Sequence, residues 1–215
     1  MDDFTWYGAP DSDGISPWHK IWIIQWSDNN VGVGVAGYLG EGTSKEIVSN
    51  WDAPFADSSL ESRFRIAGGL VQVNSGMTSL TQLNSRQVWV GNQPYTFNLV
   101  IKLRAFTDAQ NEVEKAIEAL EMMMAPDLQA GAASFSGVVM PSLNSRVPKP
   151  VSINFGRKQI WQDCCIRSMS VPHDKEKDPN GNLIRADVSL QVETLQSVTV
   201  TDLKTMYSDN AITQQ

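Results

Sequence analysis

Between residues 93 and 126 the chain changes its hydrophobic period, and that change constrains the fold more than any other feature. In QPYTFNLVIKLRAF (93–106) the positions Tyr95, Phe97, Leu99, Ile101, Leu103 and Ala105 recur at every second residue. A period of two puts them on one face of a strand. TDAQNEVEKAIEALEMMMAP (107–126) follows at once, with Val113, Ala116, Ile117, Leu120 and Met124 at three- and four-residue steps. That is the stripe of an amphipathic helix. Thr107 or Asp108 is placed to cap its start, Thr107 with Gln110 has capping-box spacing, and Pro126 ends it. A helix over 108–125 with one apolar stripe has to seal one side of a sheet.

The rest of the chain supplies that sheet. HKIWIIQW (19–26) is aromatic and β-branched, VSINFG (151–156) alternates, and NLIRADVSLQVETL puts Ile184, Ala186, Val188, Leu190 and Val192 on one face. QIWQDCCIRSMSV, EIVSNW, SRFRIAGGLVQV and SRQVWV add further short strands. The turn residues GNQP (91–94) predict a hairpin between 87–90 and 95–105. VGVGVAGYLG (31–40) reads as a strand whose glycine face meets another backbone closely. Gly32, Gly34 and Gly37 have the spacing of a dinucleotide-binding loop, but strand composition and the lack of a following helix argue against it. The reading is a mainly β protein: an antiparallel β-barrel or sandwich with one amphipathic helix packed on one side. Residues 1–14 read as an exposed arm, 15–197 as the β domain and 198–215 as a C-terminal tail.

Motifs for chemistry are sparse. The charged stretch HDKEKDPNGN (173–182) fails as a calcium loop, because the sixth position from Asp174 is Pro179 and the sixth from Asp178 is Leu183. Its Pro and Asn-Gly make it a hairpin tip. Cys164 and Cys165 are adjacent, with no second pair to complete a zinc site or a disulfide framework, so a reducing cytoplasm is expected. His19 and His173 have no nucleophile signature beside them. No cofactor, metal or catalytic residue is expected. Seven tryptophans are spread through the β segments, suited to core and subunit-interface packing or to stacking on sugars. The net charge of −7 speaks against gripping phosphates. The opening residues lack a basic region followed by an apolar run, and no run approaches the ~18 residues of a membrane span, so neither a secretory signal nor a membrane partner is expected.

VWVGNQPYTFNLVIKLRAFTDAQNEVEKAIEALEMMMAPDL (88–128) resembles the strand–turn–strand–helix segment of tail-tube and baseplate proteins of contractile-tailed bacteriophages. VSINFGRKQIWQDCCIRSMSV and NGNLIRADVSLQVETL are similar to their second half, so the resemblance spans 85–195. It implies a tail-tube-like barrel or sandwich, with six copies in a ring around a channel through which DNA passes without specific binding. The implied partners are neighbouring tail-tube, hub, baseplate and tape-measure proteins. The implied location is the tail or baseplate of a virion assembled in the host bacterial cytoplasm. Some relatives carry a LysM domain after the last strand; the chain has no room for one after Leu195, which favours a tube or tube-initiating subunit. A contractile injection system fits the same pattern. In this reading Lys175, Glu176, Lys177 and Asp178 are the candidate inter-subunit contacts. The alternative is a non-catalytic glycan- or peptidoglycan-binding β module using the tryptophans.

Overall fold

A computed structural model describes residues 4–26, 32–52, 87–126, 133–135, 138–140 and 147–207. The strands, in chain order, are β1 (Phe4–Gly8), β2 (Lys20–Trp26), β3 (Gly32–Leu39), β4 (Ser44–Glu46), β5 (Ser49–Asp52), β6 (Val88–Asn92) and β7 (Thr96–Arg104). After helix α1 (Lys115–Met124) come β8 (Ala133–Phe135), β9 (Val138–Met140), β10 (Val151–Phe155), β11 (Gln159–Ser170), β12 (Arg185–Thr194) and helix α2 (Val200–Met206). The chain divides into two compact units where one domain over 15–197 was expected. The larger is Met1–Glu46 with Pro94–Gln215, and the smaller is Ile47–Gln93.

The larger unit is a closed β-barrel, as the alternating patterns require. The strands run β3–β2–β10–β11–β12–β7, each antiparallel to the next, and Tyr38↔Lys102 and Leu39↔Ile101 close β3 on β7. Past the closure, Gly40 N–H still donates to Val100 O (2.7 Å), and β4 continues along β7. The first half of β3 has no β7 beside it. There β1 pairs with it, parallel, from Phe4↔Gly32 to Gly8↔Ala36. Within the arm expected over 1–14, Phe4–Gly8 is instead a strand that completes the edge that β7 leaves open. The hairpin expected between 87–90 and 95–105 does not form either. The edges of β7 are taken by β12 on one side and by β3 and β4 on the other, while β6 pairs with β5.

The inward faces follow the sequence pattern closely. Phe97, Leu99, Ile101 and Leu103 of β7 and Ala186, Val188, Leu190 and Val192 of β12 are all buried, as are Ile21 and Ile23 of β2. Each of these side chains larger than Ala186 contributes ~1.5–3 kcal/mol on burial. Ile184 departs from its predicted face. It is 39% exposed and Leu183 is buried instead, because the alternation begins only at Arg185, after the Lys177↔Leu183 bridge that closes the hairpin tip. In β11 the left-handed Asp163 (φ 53°) makes a bulge against β10, so Trp161 and Cys164 both face inward, three residues apart.

Helix α1 packs against β1, β3 and β11 with Ala116, Ile117, Leu120 and Met123 inward, and Val113 of the turn before it is buried as well. Met123, not Met124, closes the stripe. A π turn, Gln110–Glu114, precedes α1, so the helix predicted over 108–125 is regular only from Lys115 to Met124. The capping box of Thr107 and Gln110 is replaced. Asp108 Oδ1 accepts from the Gln110 and Asn111 amides (3.0 and 3.3 Å), and the buried Glu112 carboxylate accepts from the Phe106 and Thr107 amides and the Thr107 hydroxyl. At the other end Gln25 Nε2 donates to Met123 O (3.2 Å) and Lys149 O (2.9 Å), and Ala125 turns extended before Pro126. The expected tail over 198–215 contains α2, whose Thr199 and Asp202 form a capping box.

In the smaller unit β5 and β6 make a two-stranded hairpin with Trp51 opposite Trp89. Trp89 Nε1 donates to Ser49 Oγ and Asn92 Oδ1 (both 3.2 Å). The strand read from SRFRIAGGLVQV lies outside the described residues.

Candidate interaction site

The hairpin tip is built around Asp178. Its Oδ1 accepts from the Asn180 and Asn182 amides (2.9 and 2.8 Å), and its Oδ2 from Asn182 Nδ2 (3.0 Å). Gly181, at φ 89°, occupies a backbone conformation that residues with a Cβ rarely adopt. The Asn182 side chain, and then backbone amides, hold the Asp178 carboxyl below the ordinary carboxylate range. Glu176 is paired with Arg185 (2.7 Å, both exposed), a link worth ~0–1 kcal/mol in solvent. The four residues predicted as contacts thus divide. Asp178 holds the turn and Glu176 is neutralised locally, so of the four the half-buried Lys175 and the exposed Lys177 offer charge outward, beside the exposed Asp174.

A second feature lies on the outside of β1–β3–β2. Trp22, Ile24 and Trp26 alternate with the core residues Ile21 and Ile23, so β2 is apolar on both faces. Beside them, Phe4 and Trp6 of β1 lie over Gly32 and Gly34. A Cβ on Gly32 would stand 2.2 Å from the Phe4 ring, and one on Gly34 2.3 Å from the Trp6 ring. The glycine face therefore meets aromatic rings and not, as expected, another backbone. Phe4 sits 4.5 Å from Trp6 and 5.3 Å from Trp26 between ring centroids, tilted by 46° and 62°. The result is a groove of about 620 Å³, walled by these rings with Trp22 and Ile24, and with Asp11 at its rim. Trp6 and Trp26 remain 46% and 51% exposed. The sequence flagged the tryptophans but not the convergence of two of them, since it depends on the parallel pairing of β1.

The segment carrying β1 is anchored by a buried ionic network. Lys20 Nζ donates to Asp13 Oδ1 (2.9 Å) and Pro10 O (2.7 Å), and the Tyr38 hydroxyl donates to Asp13 Oδ2. Both charged side chains are all but inaccessible, at 1% and 0% exposure. Burial works against the charged carboxylate, but the bonds from Tyr38, Lys20 and the Ile15 amide outweigh it and hold Asp13 below its ordinary range. Burial and the Asp13 carboxylate push the Tyr38 hydroxyl up.

Cations and rings meet repeatedly in this unit. Lys158 lies over Trp18 (4.3 Å to the centroid), Arg157 over Trp22 (5.4 Å), Lys115 over Tyr7 (6.0 Å) and Lys20 over Tyr38 (5.9 Å). Lys45 stands among three rings, Trp161 (5.0 Å), Tyr207 (5.1 Å) and Tyr95 (5.9 Å), and also donates to the Tyr207 hydroxyl. Such contacts are worth ~0.5–1 kcal/mol at exposed sites.

Other sequence-level candidates come to little. Cys164 is buried and Cys165 half-buried; burial pushes the Cys164 thiol up to about 12. His173 lines a shallow hollow with Met124, Met169 and Glu121, and His19 is exposed at the entry to β2. Among the described residues no group of His, Cys, Asp and Glu could hold a metal ion. Nor is any described helix long and apolar enough to cross a membrane.

No known protein family matches the chain, and no curated protein is similar to it in sequence.

Proposed function

We propose that the chain is a non-catalytic virion structural protein: a subunit of a phage tail tube or baseplate tube initiator. It would form a ring around the DNA channel and join the baseplate hub to the tube. The observation that carries the reading is the β1–β3–β2 sheet, apolar on its inner face and again, in the open, on its outer face. An exposed aromatic groove on a folded barrel is a surface built to be covered. The strand–helix–strand order that resembles tube proteins supports the same reading. So does the net charge of −7, since an acidic or neutral wall lets phosphates slide past. Neighbouring tube, hub, baseplate and tape-measure proteins are the partners this role requires.

A second reading, a glycan-binding module, draws on the same groove, because the exposed Trp6 and Trp26 rings could stack on sugars. Negative-stain microscopy and light scattering of the chain, alone and with tail partners, separate the two. The tube reading expects rings or a sixfold mass, and a chain that stays monomeric with every partner overturns it. Saturable quenching of tryptophan fluorescence by peptidoglycan fragments, lost in Trp6→Ala, would favour the module.

A further inference from the structure

Every tryptophan and tyrosine described in the larger unit carries a lysine or arginine over its ring, with two exceptions: Trp6 and Trp26. These two, with Phe4 between them, are the open walls of the groove, and the carboxylate of Asp11 stands at its rim. Ring faces carry partial negative charge and attract an ammonium group. The groove is therefore a cation site by chemistry, and among the described residues no cation occupies it.

The same unit presents a matching cation. At the tip of the β11–β12 connection Asp178 is spent on the turn and Glu176 is paired with Arg185, which leaves the half-buried Lys175 and the exposed Lys177 against one exposed carboxylate, Asp174. The tip is stiffened by the Asp178 bonds and the Lys177↔Leu183 bridge, so seating it orders little chain.

We propose that the hairpin tip of one copy docks in the aromatic groove of a second copy, with Lys175 or Lys177 over the Trp6 and Trp26 rings and near Asp11. Groove and tip are different surfaces of one chain, so the contact is head-to-tail and propagates until a ring closes or a filament grows. The proposal rests on the ring-subunit reading and names the contact within it.

The test is a cysteine pair placed beside, not within, the contact. Two differently tagged chains, one with Ser12→Cys and the other with Asn180→Cys, both in a Cys165→Ser background, are mixed under mild oxidation. Ser12→Cys with Ser189→Cys, on the exposed face of β12, is the control. The expected result is mixed disulfide several-fold above the control, abolished by adding Lys175→Glu and Lys177→Glu to the tip chain. Adding Asp11→Lys to the groove chain should weaken it. Cross-linking equal to the control, or unaffected by reversing the lysines, overturns the proposal. A groove that instead takes a saccharide or an unrelated chain gives that same result. If native rings form while the pair stays silent, the contact is wrong and the ring reading stands. A chain that remains monomeric with every tail partner removes the ring reading itself.

Discussion

Two clusters of aromatic rings, one around Trp161 and one around Trp6, use the same chemistry to opposite ends. Tyr95, Trp161 and Tyr207 surround Lys45, and Trp161 is fully buried. Phe4, Trp6 and Trp26 surround no cation among the described residues, and two of the three stand half in solvent. The first cluster binds the chain to itself, tying β4 and the Tyr207 end of α2 to the barrel. The second has the geometry of a clasp with its pin missing. What separates the two clusters is less the rings than whether a described cation of their own chain stands among them.

The largest test of this contrast is Trp161→Ala. Removing a fully buried indole should cost ~4–5 kcal/mol, seen as a large fall in urea midpoint, whereas Trp6→Ala should shift it by under ~1 kcal/mol and act on assembly alone. Comparable losses for the two would erase the distinction. Next, Asp13→Ala should cost ~3 kcal/mol, because it leaves the Lys20 ammonium buried without its partner. The Asp13 carboxyl is lowered in the folded state. Its contribution is therefore fully present above the unfolded value of 3.8 and is lost as pH falls through the lower folded value. Melting of the native chain should weaken steeply in that acid window, and less so in Asp13→Asn. Lys45→Met should cost ~1 kcal/mol and raise amide exchange in α2, leaving Phe4 and Trp6 undisturbed. The smallest effect is chemical: a thiol reagent at neutral pH should modify Cys165 and spare Cys164, giving one adduct per native chain. Two adducts would mean the barrel opens around Trp161.

Much of this barrel was legible beforehand. The periods of 93–106 and 107–126 placed β7 and the α1 region, and the alternation from Ala186 to Val192 placed β12. What escaped depended on partners distant in sequence. Nothing local to Phe4–Gly8 announces a parallel pairing with β3, though Gly32 and Gly34 are, in hindsight, the small residues over which Phe4 and Trp6 must lie. The 87–105 hairpin failed because β12, ninety residues on, pairs with β7 from Thr96↔Glu193 to Arg104↔Arg185. The Asp163 bulge carries no compositional mark, since aspartate is equally at home in ordinary turns. At the candidate site the tip was readable as a turn, but the internal use of Asp178 and Glu176 was not. Side-chain bonds of that kind depend on the folded path of residues 176–185.

The position of β12 has a consequence for the order in which the molecule can be made. It lies between β7 and β11, yet of the barrel's described strands it is the last in chain order. The outer aromatic groove needs only residues up to Ala36 for its strands, whereas the inner wall stays open until Thr194 has emerged. For most of synthesis the nascent chain therefore carries the strands of the groove beside an unfinished core, and the groove's lining itself waits for Asn111 and Glu112. Copies growing close together on one message have reason to meet through the groove only after their barrels have shut.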